Sequence, residues 1–290
     1  MKLQKATGLV GAGGVSQSFV ARMPAFLEQL GPIKGSSLKV SRRIANGLRA
    51  GFGVADYGTL APCDLIWICA PENLVDVLAS QLASAIPLAG KVVVLCDVLR
   101  DSRWPSPLRM AGARIATLSC LPESLEQKFV AEGHPHALAE LRKLLARDRR
   151  RLIEIRPATK PLYLAGVHLA SHLLLPWIAG ATESLRAAGF ARSEAVSAVE
   201  ALGERTLRAY GKAGDKAWNR TAAEQLRRAV AQDFETLRQT DTRLAALFSD
   251  GGDRMLRYFA KPQRKQRLKV LARRSGCIWK VFERKAAFRN

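Results

Sequence analysis

Short apolar runs alternate with stretches of helical spacing along the first half of the chain. Lys5 to Val10 reads as a strand, and Val15, Phe19, Val20, Met23, Leu27 and Leu30 then recur at helical intervals, with a kink at Pro24 and an end at Gly31-Pro32. Ser37 to Ser41 reads as a second strand, Ile44 to Ala50 as a short helix, and Gly51 to Val54 as a third strand. Asp64 to Cys69 and Lys91 to Cys96 are continuous apolar runs, the signature of strands buried on both faces. Asn73 to Ile86 is helical, Ser106 to Met110 a helical turn, Ala113 to Leu118 a strand, His136 to Ala146 a helix, and Arg151 to Ile155 a last strand. Such alternation predicts a parallel sheet with right-handed crossovers. Past Pro157 the strands stop, and helices are predicted at 161–188, 192–210, 216–232 and 234–248, the first bent by Pro176. The expected architecture is therefore α/β: an N-terminal Rossmann-type parallel sheet over 1–157, an all-α domain over 158–250, and an extension over 251–290 hinged at Gly251-Gly252.

The first strand runs into Gly8-Leu-Val-Gly-Ala-Gly-Gly-Val-Ser16. Gly11 permits a tight bend, and Gly13 lets the backbone approach an anion. The amides of Ala12, Gly14, Val15 and Ser16 then open a helix whose N-terminus favours a diphosphate. A GxG alone is weak; after the first strand of an α/β alternation it points to a dinucleotide. At the end of the expected second strand stand Ser41, Arg42 and Arg43, with no acid to hold a ribose hydroxyl. A hydroxyl and two guanidinium forks suit a 2′-phosphate, so the expected cofactor is NADP. Ala70-Pro71 follows the fourth strand and is expected to border the nicotinamide half, and Asp97, after the fifth, lies at the same edge as a loop or capping residue.

Composition narrows the class. Of 290 residues, 48% are hydrophobic, enough for packed cores. No uninterrupted apolar window was expected to span a membrane, and the glycines and polar residues of 11–18 argue against a signal peptide. The five cysteines form no CxxC pair, which suggests a reduced, cytoplasmic protein without a metal site. The net charge is +21, and residues 261–290 carry eleven Lys/Arg against the single Glu283. That tail, with Trp279, Phe282 and Phe288 interleaved, is compatible with nucleic-acid or membrane-surface binding, or with a solvated extension.

Together, the glycine turn, Ser41-Arg-Arg43 and Asp64-Leu-Ile-Trp-Ile-Cys-Ala-Pro-Glu72 resemble the superfamily of 6-phosphogluconate and β-hydroxyacid dehydrogenases. More closely, residues 6–250 resemble Rossmann-like proteins with a helical second domain of unknown function; Met110-Ala-Gly-Ala-Arg114 and Leu162-Tyr163 also fit. The resemblance implies an NADP(H)-dependent oxidoreductase acting on a small carbonyl, imine or hydroxy compound, and a homodimer. Leu169, Leu173, Leu174 and Trp177 are the candidate contacts of that dimer. In the hydroxyacid dehydrogenases a Lys and, four residues on, an Asn face the nicotinamide from the first helix of the second domain. Here His168 and His172 fill those places, which implies proton transfer by one and substrate orientation by the other. Leu164 and Ser119-Cys120 stand where the closer family shows histidine and a His-Pro pair. The alternative is a non-catalytic dinucleotide-binding sensor or scaffold.

Overall fold

The structure, a computed structural model, describes residues 7–12, 14–15, 18–121, 128–218 and 220–259. It divides into two compact units, Met1–Leu169 and Ala170–Asn290. The compact sheet unit thus runs past the sequence boundary at 157 and takes in the helix that follows.

The first unit is built on one eight-stranded sheet, ordered β3-β2-β1-β4-β5-β6-β7-β8. Its strands are β1 (Thr7–Gly11), β2 (Leu30–Lys34), β3 (Phe52–Val54), β4 (Leu65–Cys69), β5 (Val92–Cys96), β6 (Arg114–Cys120), β7 (Lys128–Gly133) and β8 (Arg151–Glu154). The helices α1 (Pro24–Leu27), α2 (Leu38–Leu48), α3 (Glu72–Ala85), α4 (Ser106–Met110), α5 (Pro135–Arg147) and α6 (Lys160–Ala170) complete it. Apolar side chains cover both faces of the sheet. Leu9, Trp67, Val94, Leu118 and Phe129 face one layer with α1, α2 and α5, and Val10, Ile66, Ile68, Val93 and Leu95 face the other with α3 and α4. The Phe26 and Trp67 rings pack at 4.7 Å between centroids beneath α1.

Three expectations change here. The helix expected from Val15 to Leu30 is instead a 3₁₀ turn at Phe19–Arg22 and the four-residue α1. Met23 takes an extended conformation because the ring of Pro24 disfavours the helical one before it, and this divides the two turns. The chain therefore returns to the sheet sooner, and Gly31-Pro32 lies inside β2 rather than ending a helix. Proline cannot donate to a ladder. The β1–β2 pairing accommodates it with a shift of register between Thr7↔Leu30 and Leu9↔Ile33. Lastly, the sheet is not wholly parallel: β7 runs antiparallel to β6, and β8 runs parallel to β7. The tight join works because Gly133 has φ +146° and no side chain; a Cβ there would sit 2.5 Å from Ala116 Cα.

The second unit holds α7 (Leu175–Ala187), α8 (Arg192–Ala213), α9 (Arg220–Thr240) and α10 (Thr242–Phe259). The expected single helix over 161–188 is interrupted at 171–174, with Pro176 in the first turn of α7, where its missing N–H costs nothing. Gly251 and Gly252 are no hinge: they are buried inside α10, where Gly251 lies against the Trp177 ring. Among the described residues, Ala195 and Ala245 are the buried apolar side chains of this unit, while Leu173, Leu175, Trp177, Val196 and Leu207 are exposed. Against the expectation of no spanning window, Lys160–Ala187 is long and apolar enough to cross a membrane by length and composition. The basic run at 261–290 lies outside the described residues.

Candidate functional site

The order of the sheet reverses between β1 and β4, which opens a crevice at their carboxyl ends. Gly11 pairs with Cys69 across that boundary, and the Ala12 N–H donates to the Cys69 carbonyl at 3.0 Å. A Cβ on Gly11 would lie 2.9 Å from Val15 Cγ2 and 3.1 Å from Ile44 Cδ1, so only glycine fits. Val15 is buried in the core, Ala12 is half-buried and Gly14 is exposed. Gly13 and Ser16 lie outside the described residues. Ala70 and Pro71 leave β4 on the other side of the crevice, Pro71 as the N-cap of α3.

The sequence reading of the second strand is corrected here. Residues 37–41 are not a strand: Ser37 caps α2, its hydroxyl accepting from the Val40 N–H at 3.3 Å, and Val40, Ser41, Ile44 and Leu48 form the inner face of that helix. Ser41 is fully buried. Its hydroxyl accepts from the Gly35 N–H and has the Ser37 and Val54 carbonyls as alternative acceptors at 3.0 and 2.9 Å, so it tethers α2 to β2 and β3 and does not meet a ligand. Arg42 and Arg43 are exposed on the second turn of α2, not at a strand end. The residues that do leave β2 are Lys34, Gly35, Ser36 and Ser37. Lys34 is buried, donates to the Gly35 carbonyl, and holds its ammonium 4.9 Å from the Tyr57 ring centroid. Ser36, Ser37 and Lys39 are exposed around the start of α2.

A third group was missed from sequence. Lys160, at the start of α6, is 2% exposed, and its ammonium has no hydrogen-bond partner among the described residues. Burial pulls its pKa down to about 8, while the carboxylates of Glu132, Glu72, Asp101 and Asp97 act the other way. Glu132, also 2% exposed, accepts from the Ser102 N–H at 2.6 Å, the Ser102 hydroxyl at 2.9 Å and the Thr117 hydroxyl at 2.9 Å. Asp97 follows β5 with φ +51°, in the left-handed region that Asp tolerates better than most residues. Its side chain reaches solvent, yet crowding by protein atoms pushes its carboxyl up to about 6, opposed by the Cys120 N–H and the charge of Lys160. Tyr163, one turn beyond Lys160, has its hydroxyl pKa raised by burial, with Asp97 and Cys120 adding to the shift. In sequence, a lysine beside Pro161 reads as surface; the available signal was a cation in the first turn of a helix, where the macrodipole disfavours it.

His168 lies in α6 and His172 beyond its end, in the turn before α7, and both are exposed. A spacing of four therefore does not put the two on one helix face, because the helix stops at Ala170. The Ser171 hydroxyl and His172 Nδ1 are 3.2 Å apart. No group of three metal-binding side chains occurs among the described residues.

No family model matches the chain, and no curated protein matches it in sequence. Solved structures do match. A protein from Thermotoga maritima superposes with a TM-score of 0.60 at 15% identity, covering 88% of this chain and 98% of that one. A reductive aminase from Aspergillus terreus, in complex with NADPH and ethyl-5-oxohexanoate, gives 0.59 at 14% identity, covering 88% and 94%. A pyrroline-5-carboxylate reductase from Coxiella burnetii gives 0.53 at 11% identity, covering 89% and 100%. These likenesses, at 11–15% identity, are of fold: a Rossmann-type sheet followed by a helical C-terminal region.

Proposed function

We propose that the chain is an NADP(H)-dependent oxidoreductase acting on a small carbonyl, imine or hydroxy compound. The observation that carries this reading is the glycine turn at the β1/β4 crevice, with Asp97 on the same edge of the sheet. The residues fit a dinucleotide. Gly11 admits no Cβ, and the amides that follow it at the strand end can hold a diphosphate. The first N–H groups of α2 lack helical acceptors, and with Ser36, Ser37 and Lys39 they supply hydroxyls and charge for a 2′-phosphate. The bound cofactor supplies a hydride. The chain's part is to position the substrate near Ala70 and Pro71 and to exchange a proton at Asp97. That one structural neighbour is a reductive aminase in complex with NADPH, and another a pyrroline-5-carboxylate reductase, supports the class. None of the four described cysteines forms a disulfide, which suits a cytoplasmic enzyme.

Cofactor fluorescence titration tests this. NADPH is expected to bind at least about tenfold tighter than NADH, and Ser36→Ala with Lys39→Ala to remove most of that gap, since each charge-assisted bond is worth roughly 1.5–3 kcal/mol. Arg42→Ala with Arg43→Ala is expected to change it little. Equal binding of the two cofactors by the unmodified chain would overturn the reading.

We also propose a homodimer. A helical unit that buries Ala195 and Ala245 and exposes Leu173, Leu175, Trp177 and Ile178 has too little core to stand alone, and a second copy offers the same apolar face in return. Light scattering should give twice 31.7 kDa; a monomer at micromolar concentration rules the assembly out.

A further inference from the structure

The chain carries a net charge of +21, yet the polar group around Lys160 is locally acidic. Four carboxylates surround it: Asp97 after β5, Asp101 in the loop that follows, Glu72 at the start of α3, and Glu132 on β7. The cations are Lys160 itself, Arg100, which pairs with Glu72 at 3.3 Å, and Arg103, which pairs with Asp101 at 2.8 Å. Glu132 is occupied by Ser102 and Thr117. Asp97 is thus the carboxylate of the group that faces solvent with no side-chain partner of opposite charge in contact among the described residues, and the cation whose charge acts on it, Lys160, is buried. Lys160 has three N–H donors and no acceptor, a state that costs roughly 1–3 kcal/mol or more unless something else enters the group. Tyr163 and Cys120 complete the set that faces Asp97.

The sign of this field discriminates between substrates. Reduction of a C=O bond builds negative charge on oxygen, and nearby carboxylates oppose that. Reduction of a C=N bond passes through a cation, which the same carboxylates favour. A substrate bearing its own carboxylate would meet repulsion here. We propose that the site takes a C=N compound, an imine bound and reduced as its iminium cation, and that Asp97 is the carboxylate facing that cation. This rests on the oxidoreductase reading above. In the step, the proton of the Asp97 carboxyl passes to the imine nitrogen, breaking O–H and forming N–H. The hydride supplied by NADPH forms the new C–H bond, and the C=N π pair becomes the lone pair of the product amine. Asp97 regains its proton from solvent. Lys160 stays behind it as a positioning residue that holds the carboxylate charge.

The test uses the full chain with NADPH and three probes: 3,4-dihydroisoquinoline as the imine, benzaldehyde as a neutral carbonyl, and pyruvate as a carboxylate-bearing one. Binding of the saturated amine cation, tetrahydroisoquinolinium, is measured alongside by calorimetry without turnover. The imine is expected to be reduced at least tenfold faster than either carbonyl. Asp97→Asn is expected to weaken the amine cation about tenfold or more and leave NADPH affinity unchanged. Asp97→Gly, which also accepts φ +51°, serves as the second variant should the first unfold. Preferred reduction of benzaldehyde or pyruvate, or equal amine binding by both variants and the unmodified chain, overturns this proposal while leaving the oxidoreductase reading intact. Absence of NADPH binding in the unmodified chain overturns both.

Discussion

Replacing Lys160 with Met is expected to raise the stability of the sheet unit at pH 7, by about 3 kcal/mol at most, while lowering reductive turnover. The buried ammonium has its pKa pulled from 10.5 to about 8. A cation whose folded pKa is lowered is disfavoured in the folded state, and each unit is worth about 1.4 kcal/mol. The penalty is complete below about pH 8 and fades as the pH rises toward 10.5, where the unfolded chain also loses its proton. A thioether of similar length removes it. Glu132 would not be stranded, because Ser102 and Thr117 still donate to it. Calorimetric melts of both proteins from pH 6 to 10 measure the difference, which should be largest at the acid end and shrink above pH 8. A variant that melts lower than its parent, by an amount that does not change with pH, would show Lys160 to be a structural counter-ion. A residue that weakens the fold yet serves the site follows the usual trade between stability and activity.

Gly133→Val is expected to cost about 3–5 kcal/mol, most of what a domain of this kind has to spare. Two effects combine. At φ +146° a β-branched side chain is strained, and its Cβ would press on Ala116 Cα and the Ile115 carbonyl. The Ile115 carbonyl also accepts from the His134 N–H at 2.8 Å, so the clash falls where β7 gives way to α5. Urea titration followed by far-ultraviolet dichroism gives the midpoint. An unchanged midpoint would mean that β6 and β7 are not joined in the register Ala116↔Gly133.

How legible all this was depended on how each element is buried. β4 and β5 were read to within a residue, because strands covered on both faces show as unbroken apolar runs. β2 was not, since Gly31-Pro32 carries a turn signal that tertiary pairing overrides. That one displacement moved the expected phosphate-binding residues from Ser36, Ser37 and Lys39 to Ser41, Arg42 and Arg43. β7 went unseen because it holds charged residues, Lys128 and Glu132, the latter with partners, Ser102 and Thr117, that are distant in sequence. The glycine turn was visible because its chemistry is local. Asp97 was visible only as a position at a sheet edge. What tunes its carboxyl besides burial, the Cys120 N–H and the charge of Lys160, comes from residues 23 and 63 positions further along, and no window of sequence joins them.

The scarcity of buried apolar side chains among the described residues of α7 to α10 has a consequence for how the molecule behaves on dilution. In the homodimer proposed above, these helices are expected to persist by mass action with the second copy as well as by contacts within one chain. The sheet unit, with Trp67, Phe26 and Phe129 wholly enclosed, keeps its order at any concentration. Heating a dilute sample should therefore unravel the molecule in two stages, and only the earlier stage should move to higher temperature as protein is added.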